Sequence, residues 1–229
     1  MKRPFSPIIR SACLVLLVAG FSFLLFHFGQ HTPWFKQFLY HRMLAGSENQ
    51  RLRAASMLVQ LGAQKQLIQA LRVDQPETRQ VARKALEYLW FNAAGPEAFR
   101  LVQSAYNAAE EDDLANSLQV LDRVVREFPD FAEGWNQRAS VFWRMGEYDK
   151  SIADSRHALA LNPNHYGAWQ GLGVCQLKLG DVAEACRCLR AAQRLLPHDE
   201  PTRTALKQCE ELLRRFSPAP QNQSPVQAI

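Results

Sequence analysis

Residues 132–165 read AEGWNQRASVFWRMGEYDKSIADSRHALALNPNH, and residues 166–199 read YGAWQGLGVCQLKLGDVAEACRCLRAAQRLLPHD. Set one above the other, these stretches decide the fold. Trp135 falls over Trp169, Ala139 over Gly173, Gly146 over Gly180, Ala158 over Ala192, and Pro163 over Pro197. Pro129 stands the same 34 residues before Pro163 and closes a degenerate copy, 98–131. That copy keeps Ala105, Ala108, Leu121 and Val124 but has Leu101 where the others have Trp. A fixed period of this length marks a repeat architecture.

Each copy predicts two amphipathic helices of about thirteen residues. Gly146 and Gly180 suit the positive φ that ends the first helix, and the prolines stop the second. Ala139 and Gly173 are small where the paired helix is expected to cross closely. No copy buries its apolar face alone, so three must stack and an end helix must cover the last. Residues 200–216 supply it, with Leu206, Cys209, Leu212 and Leu213 on one stripe. Residues 217–229, SPAPQNQSPVQAI, are Pro-, Gln- and Ser-rich and predicted to be disordered.

Thirty-four residues with this order of Trp, Gly, Ala and Pro resemble the tetratricopeptide repeat. The resemblance implies an all-α solenoid of three helix pairs, 98–131, 132–165 and 166–199, plus the end helix. It also implies a concave groove lined by the first helix of each pair. Carried over place by place, the groove residues are Phe99, Val102, Tyr106 and Ala109, then Glu133, Asn136, Ser140 and Trp143, then Gly167, Gln170, Val174 and Leu177. Arg144 and Lys178 edge it. We take Phe99, Val102, Tyr106, Asn136, Ser140, Trp143, Arg144, Gln170, Val174 and Lys178 as the candidate partner-binding set, with packing between helices the alternative role for Tyr106 and Trp143. Family members that clamp acidic chaperone tails use Asn at the sixth place of two repeats and Lys or Arg in the third. Here those places hold Gln103, Gln137 and Gly171, so that clamp is expected to be absent.

Upstream, residues 31–95 carry a weaker echo. Arg51, Ala54, Leu58 and Leu61 recur 28 residues on as Arg79, Ala82, Leu86 and Leu89. The spacing puts each apolar set on one helix face. This pattern resembles short HEAT-type repeats; an ordinary antiparallel helix pair would look the same. Farther upstream, Ala12–Phe28 reads ACLVLLVAGFSFLLFHF, with no charged residue between Arg10 and Lys36. Seventeen helical residues span ~25 Å, and flanking residues extend that to a bilayer core. Residues 1–30 therefore predict an uncleaved membrane anchor. A cleaved signal peptide or a buried core helix is the alternative. Lys2, Arg3 and Arg10 favour a cytoplasmic N-terminus, which places the remainder on the non-cytoplasmic side, periplasmic in a bacterium. Lys36 and Arg42 weaken that preference. Trp34 and Phe35 fit either an interfacial belt or the first core contact of the next helix.

The chain of 229 residues is 47% apolar and carries a formal charge of +5, too hydrophobic for a disordered protein. The positive charge crowds toward the N-terminus, and residues 93–229 are net acidic, so no basic stripe crosses the repeats as a nucleic-acid binder would have. Cys175, Cys186, Cys188 and Cys209 fall on apolar helix faces and read as small buried hydrophobes. A disulfide would require an oxidising compartment, and the spacing suits zinc poorly. Cys13 lies in the apolar run. His27 and His31 lie four apart beside that run and read as interfacial polar residues. His157, His165 and His198 form no ligand motif, and no phosphate loop or nucleophile elbow is present. No cofactor or metal is expected. The sequence predicts a membrane-tethered, non-enzymatic scaffold that binds a protein or peptide. The alternative is a regulatory or assembly subunit of a membrane-bound enzyme, and an enzyme of unfamiliar type is the remaining class.

Overall fold

The turns inside the repeats follow their residues. Gly146 and Gly180 take φ of 79° and 85°, in the left-handed region that a side chain disfavours. Asp112 holds the same place in the first copy with φ 64°, which aspartate tolerates better than most residues. Asp113 and Asp181 then cap the next helix by accepting from the backbone N–H of Asn116 and Glu184, a favoured use of aspartate.

The computed structural model describes residues 32–216, and eleven α-helices form there with no strand among the described residues. They are α1 (Pro33–Ala45), α2 (Glu48–Gln60), α3 (Gln64–Ala70), α4 (Pro76–Phe91), α5 (Gly95–Glu110), α6 (Leu114–Glu127), α7 (Ala132–Arg144), α8 (Tyr148–Leu161), α9 (Tyr166–Lys178), α10 (Val182–Leu195) and α11 (Glu200–Phe216). The chain divides into two compact units, one ending at Leu86 and one beginning at Glu87, inside α4.

In the first unit the echoed residues behave alike. Ala54, Leu58, Ala82 and Leu86 are buried. Arg51 donates to the carbonyls of Met43 and Gly46, and Arg79 to that of Val73. Each guanidinium thus satisfies carbonyls that a finished helix or turn leaves open. Trp34 is exposed and stacks on Phe38 with ring centroids 5.9 Å apart, so it makes no core contact. Among the described residues no helix is long and apolar enough to cross a membrane. The expected anchor over 1–30, with Cys13, His27 and His31, and the tail 217–229 lie outside the described residues.

The second unit holds the helix pairs α5/α6, α7/α8 and α9/α10, with α11 on the last pair. A Cβ on Gly173 would lie 2.9 Å from Leu189 Cγ, and one on Gly134 would lie 2.6 Å from Val124 Cγ1. The close helix crossing expected at Gly173 is therefore present. The four cysteines 175, 186, 188 and 209 are free and buried in this core. Burial pushes the thiols of Cys188 and Cys209 up to about 12 and raises that of Cys175, so they stay protonated and poorly reactive near neutral pH.

Trp135 and Trp169 pack against the buried cluster formed by the last two repeats. Both are half-buried rather than enclosed. Each indole N–H donates to a proline carbonyl six residues earlier, Pro129 at 2.8 Å and Pro163 at 2.9 Å. The rings staple the loop between repeats to the next helix, which leaves one edge in water. Their truncation should then cost less than the ~3–5 kcal/mol of a fully enclosed Trp.

Candidate functional site: the groove of the repeats

Two cavities alternate along the repeats. One of about 210 Å³ lies between α5 and α7 with α6 as its floor, and one of about 340 Å³ lies between α7 and α9 with α8 as its floor. Ser140 lines both, which makes them successive bays of one groove. Each floor carries a buried serine hydroxyl without a hydrogen-bond partner, Ser117 on α6 and Ser155 on α8.

The structure sorts the ten candidate residues. Tyr106 and Arg144 line the smaller bay with Ser140. Asn136, Ser140, Trp143, Gln170 and Val174 line the larger one. Tyr106 is 46% and Trp143 42% exposed, so both rings present a face to solvent. Phe99 is half-buried and lines neither bay, and Lys178 is exposed outside both.

One assignment needs correction, and a second residue is placed as expected but with its side chain engaged. Val102 is fully buried in the first repeat's core, where Phe91 and Ala94 pack over that cluster. It cannot touch a partner. Arg144 lines the smaller bay, but its guanidinium is already engaged. It donates to the Ala109 carbonyl at the end of α5 and to the Asp112 carboxylate, at 3.0 Å. Asp112 brings a carboxylate to the turn where the other repeats have glycine, and this draws Arg144 back onto the first repeat.

One end of the groove is already filled by the chain itself. Trp90, in the last turn of α4, stacks on His165 at 4.5 Å and lies 5.0 Å from Tyr166. The Tyr166 hydroxyl donates to Glu87 Oε1 at 2.8 Å. His165 Nδ1 accepts from the Ala168 backbone N–H, which leaves the ring proton on Nε2, 2.9 Å from Glu133 Oε2. Asn136 and Gln137 also donate to Glu133. Burial by itself would push the Glu133 carboxyl up. The pull of His165 and the three donated hydrogen bonds overcome it and hold that carboxyl below its usual range. Sequence reasoning missed this cluster, because Trp90 lies outside the repeats and no periodicity relates it to His165. Gly167 and Gly171, two glycines four apart inside one helix, were a legible signal of the larger bay.

Helix pairs with glycine turns, 34-residue proline spacing and a bayed groove define a helical repeat scaffold. The tetratricopeptide repeat profile matches residues 136–200. A TPR repeat-containing protein of Rhizobium etli is 32% identical over 128 residues, 56% of this chain. This chain spans 61% of that relative's length. The Sgt2 TPR domain from Aspergillus fumigatus superimposes with a TM-score of 0.51 and 16% identity, covering 58% of this chain and 91% of that domain. The first TPR of Spaghetti (RPAP3), solved bound to the HSP90 peptide SRMEEVD, gives 0.50 and 18%, covering 51% and 93%. Residues 136–200 thus carry tetratricopeptide repeat sequence, and the fold around them is that of the solved tetratricopeptide domains.

Proposed function

We propose that this chain is a membrane-tethered, non-catalytic scaffold that takes a segment of another protein in the groove between α5, α7 and α9. The observation that carries the reading is the larger bay, open to solvent and walled by a partly exposed Trp143. Large aromatics at the centre of a concavity dominate binding energy once desolvated. The Spaghetti domain, solved with its HSP90 peptide, supports peptide binding as the mode of use. Gln137 donates to Glu133, Gly171 has no side chain, and Arg144 is engaged, so an acidic tail has little to hold it. The tether rests on the apolar run of residues 12–28 and the basic residues before it, with the repeats on the non-cytoplasmic side.

The test uses the full-length chain in detergent with a photocrosslinker beside the larger bay. A groove-bound partner should crosslink there, and Trp143→Ala should weaken capture about thirtyfold, equivalent to ~2 kcal/mol. A stoichiometric partner that resists high salt and ignores Trp143→Ala would replace the scaffold reading with that of a fixed enzyme subunit. A mature N-terminus sequenced near residues 20–32 would remove the tether.

A further inference from the structure

The first described helix carries apolar residues on two opposite faces. Leu39 and Met43 are buried, and α1 packs on α2 and α3. At about 100° per residue, Trp34, Phe38, Arg42 and Ala45 fall on the other side of the helix, and all four are exposed. The outward stripe of a surface helix is ordinarily polar. Here it opens with Trp34, 71% exposed, and Phe38, 44% exposed. Their rings stack at 5.9 Å, and Phe35 stacks on Phe38 at 6.2 Å. Single exposed apolar residues are ordinary, whereas a contiguous patch marks a site of protein or membrane contact.

The place of this patch in the chain selects what covers it. The apolar run 12–28 ends six residues before Trp34, and six residues reach at most ~20 Å even when fully extended. The headgroup layer outside the hydrocarbon core is itself about 5–8 Å deep in each leaflet. A run held in a bilayer therefore keeps Trp34 close to the surface it leaves. The charge agrees. The first acidic residue of the chain is Glu48, and Lys2, Arg3, Arg10, Lys36 and Arg42 precede it. Arg42 stands about 40° round the helix from Phe38, so rings and a cation share one stripe. Tryptophan favours the boundary between headgroups and acyl chains, and a cation beside it suits anionic headgroups. A protein surface could cover the rings, but it would account neither for their place after the run nor for the lack of acidic residues.

We propose that α1 is a second membrane contact, with Trp34 and Phe38 at the headgroup–acyl boundary of an anionic leaflet and Arg42 at its phosphates. This seat rests on the tether reading for the presence of the bilayer, and it adds a lipid-facing surface that a span alone does not supply. Because Leu39 and Met43 on the far side of α1 belong to the first unit's core, the seat holds that unit on the membrane surface rather than at the end of a free linker.

The test places the full-length chain in nanodiscs of phosphatidylcholine and phosphatidylglycerol and reads fluorine NMR of fluorotryptophan. The Trp34 signal is identified by its loss in Trp34→Phe. Lipid carrying a nitroxide near the headgroup should broaden that signal beyond detection, and an aqueous gadolinium chelate should leave it sharp. Arg42→Glu, at an exposed position, should leave the melting temperature unchanged and raise broadening by the chelate about fivefold. A Trp34 signal broadened by the chelate and untouched by the lipid label would overturn the proposal. So would one shielded from both, since a protein or a second copy would then cover the rings. Shielding reduced neither by Arg42→Glu nor by discs of phosphatidylcholine alone would overturn the choice of an anionic leaflet. A chain that keeps its N-terminus and stays in the discs with Trp34 in water retains the tether and loses the seat. A mature N-terminus near residues 20–32 with Trp34 still in lipid loses the tether and retains the seat; with Trp34 in water, both fail.

Discussion

Trp90 is where the chain upstream of the repeats meets their groove, and removing its ring gives a sharp result. The residue is 6% exposed, and its indole lies on the His165 ring at 4.5 Å with 19° between planes. A buried Trp removes roughly 150–250 Å² from water, or about 4–6 kcal/mol at ~25 cal/mol/Å². Residual burial in the unfolded chain lowers that figure by roughly 10–40%, leaving about 3–4 kcal/mol for Trp90→Ala. Truncation data for enclosed aromatics fall in the same range, ~3–5 kcal/mol. In a unit of this size the change should lower the melting midpoint by about 10 °C.

The loss should also have an address. Trp90 covers the imidazole that caps α9 through the Ala168 N–H. Hydrogen exchange at Ala168 should therefore accelerate more than exchange in the last turn of α9. Trp90→Phe should keep most of the stability, because a smaller ring can still stack. Circular dichroism melting and exchange mass spectrometry on the full-length chain measure both effects. A Trp90→Ala midpoint within 2 °C of the parent would refute the claim that Trp90 is tied to the third repeat.

Two further outcomes follow from the same contacts. Gly173→Ala should destabilise by about 1–2 kcal/mol, because its Cβ would overlap Leu189, itself buried, and overpacking outweighs the helix gain; a melt at or above the parent's would show that the crossing can open. Glu133 has a lowered folded-state pKa, so its stabilisation is fully present above the ordinary carboxylate value and is lost as pH falls through the folded one. Glu133→Gln should cost about 2 kcal/mol near pH 7, and the gap should narrow below pH 4 in a series of melts; a gap independent of pH would mean that the carboxylate charge contributes nothing.

What the sequence revealed and what it hid separate along physical lines. The helix pairs were legible because a period in glycine, proline and small residues maps directly onto turns and crossings, as Gly146, Gly180 and Gly173 show. Trp143 and Tyr106 were legible as groove residues because their place in the repeat sets their face. Val102 was not, since its cover comes from Phe91 and Ala94, outside the repeat that numbers it. The engagement of Arg144 was hidden for a related reason. An aspartate in the first repeat's left-handed turn gives it a partner that the more regular repeats lack. The Trp90–His165–Glu133 cluster joins residues far apart in sequence, and no local pattern encodes such a contact.

These contacts also limit which partners the groove can take. Its end beside Glu133, His165 and Tyr166 is occupied by Trp90, whereas the bays at Tyr106, Ser140 and Trp143 stay open. A partner that needs the occupied end must first displace a contact worth about 3–4 kcal/mol. That multiplies its apparent dissociation constant by about a hundred to a thousand. A partner confined to the open bays carries no such cost. Between two segments of equal intrinsic affinity, the chain should therefore select the shorter one, anchored on Trp143, and leave the α4 contact in place.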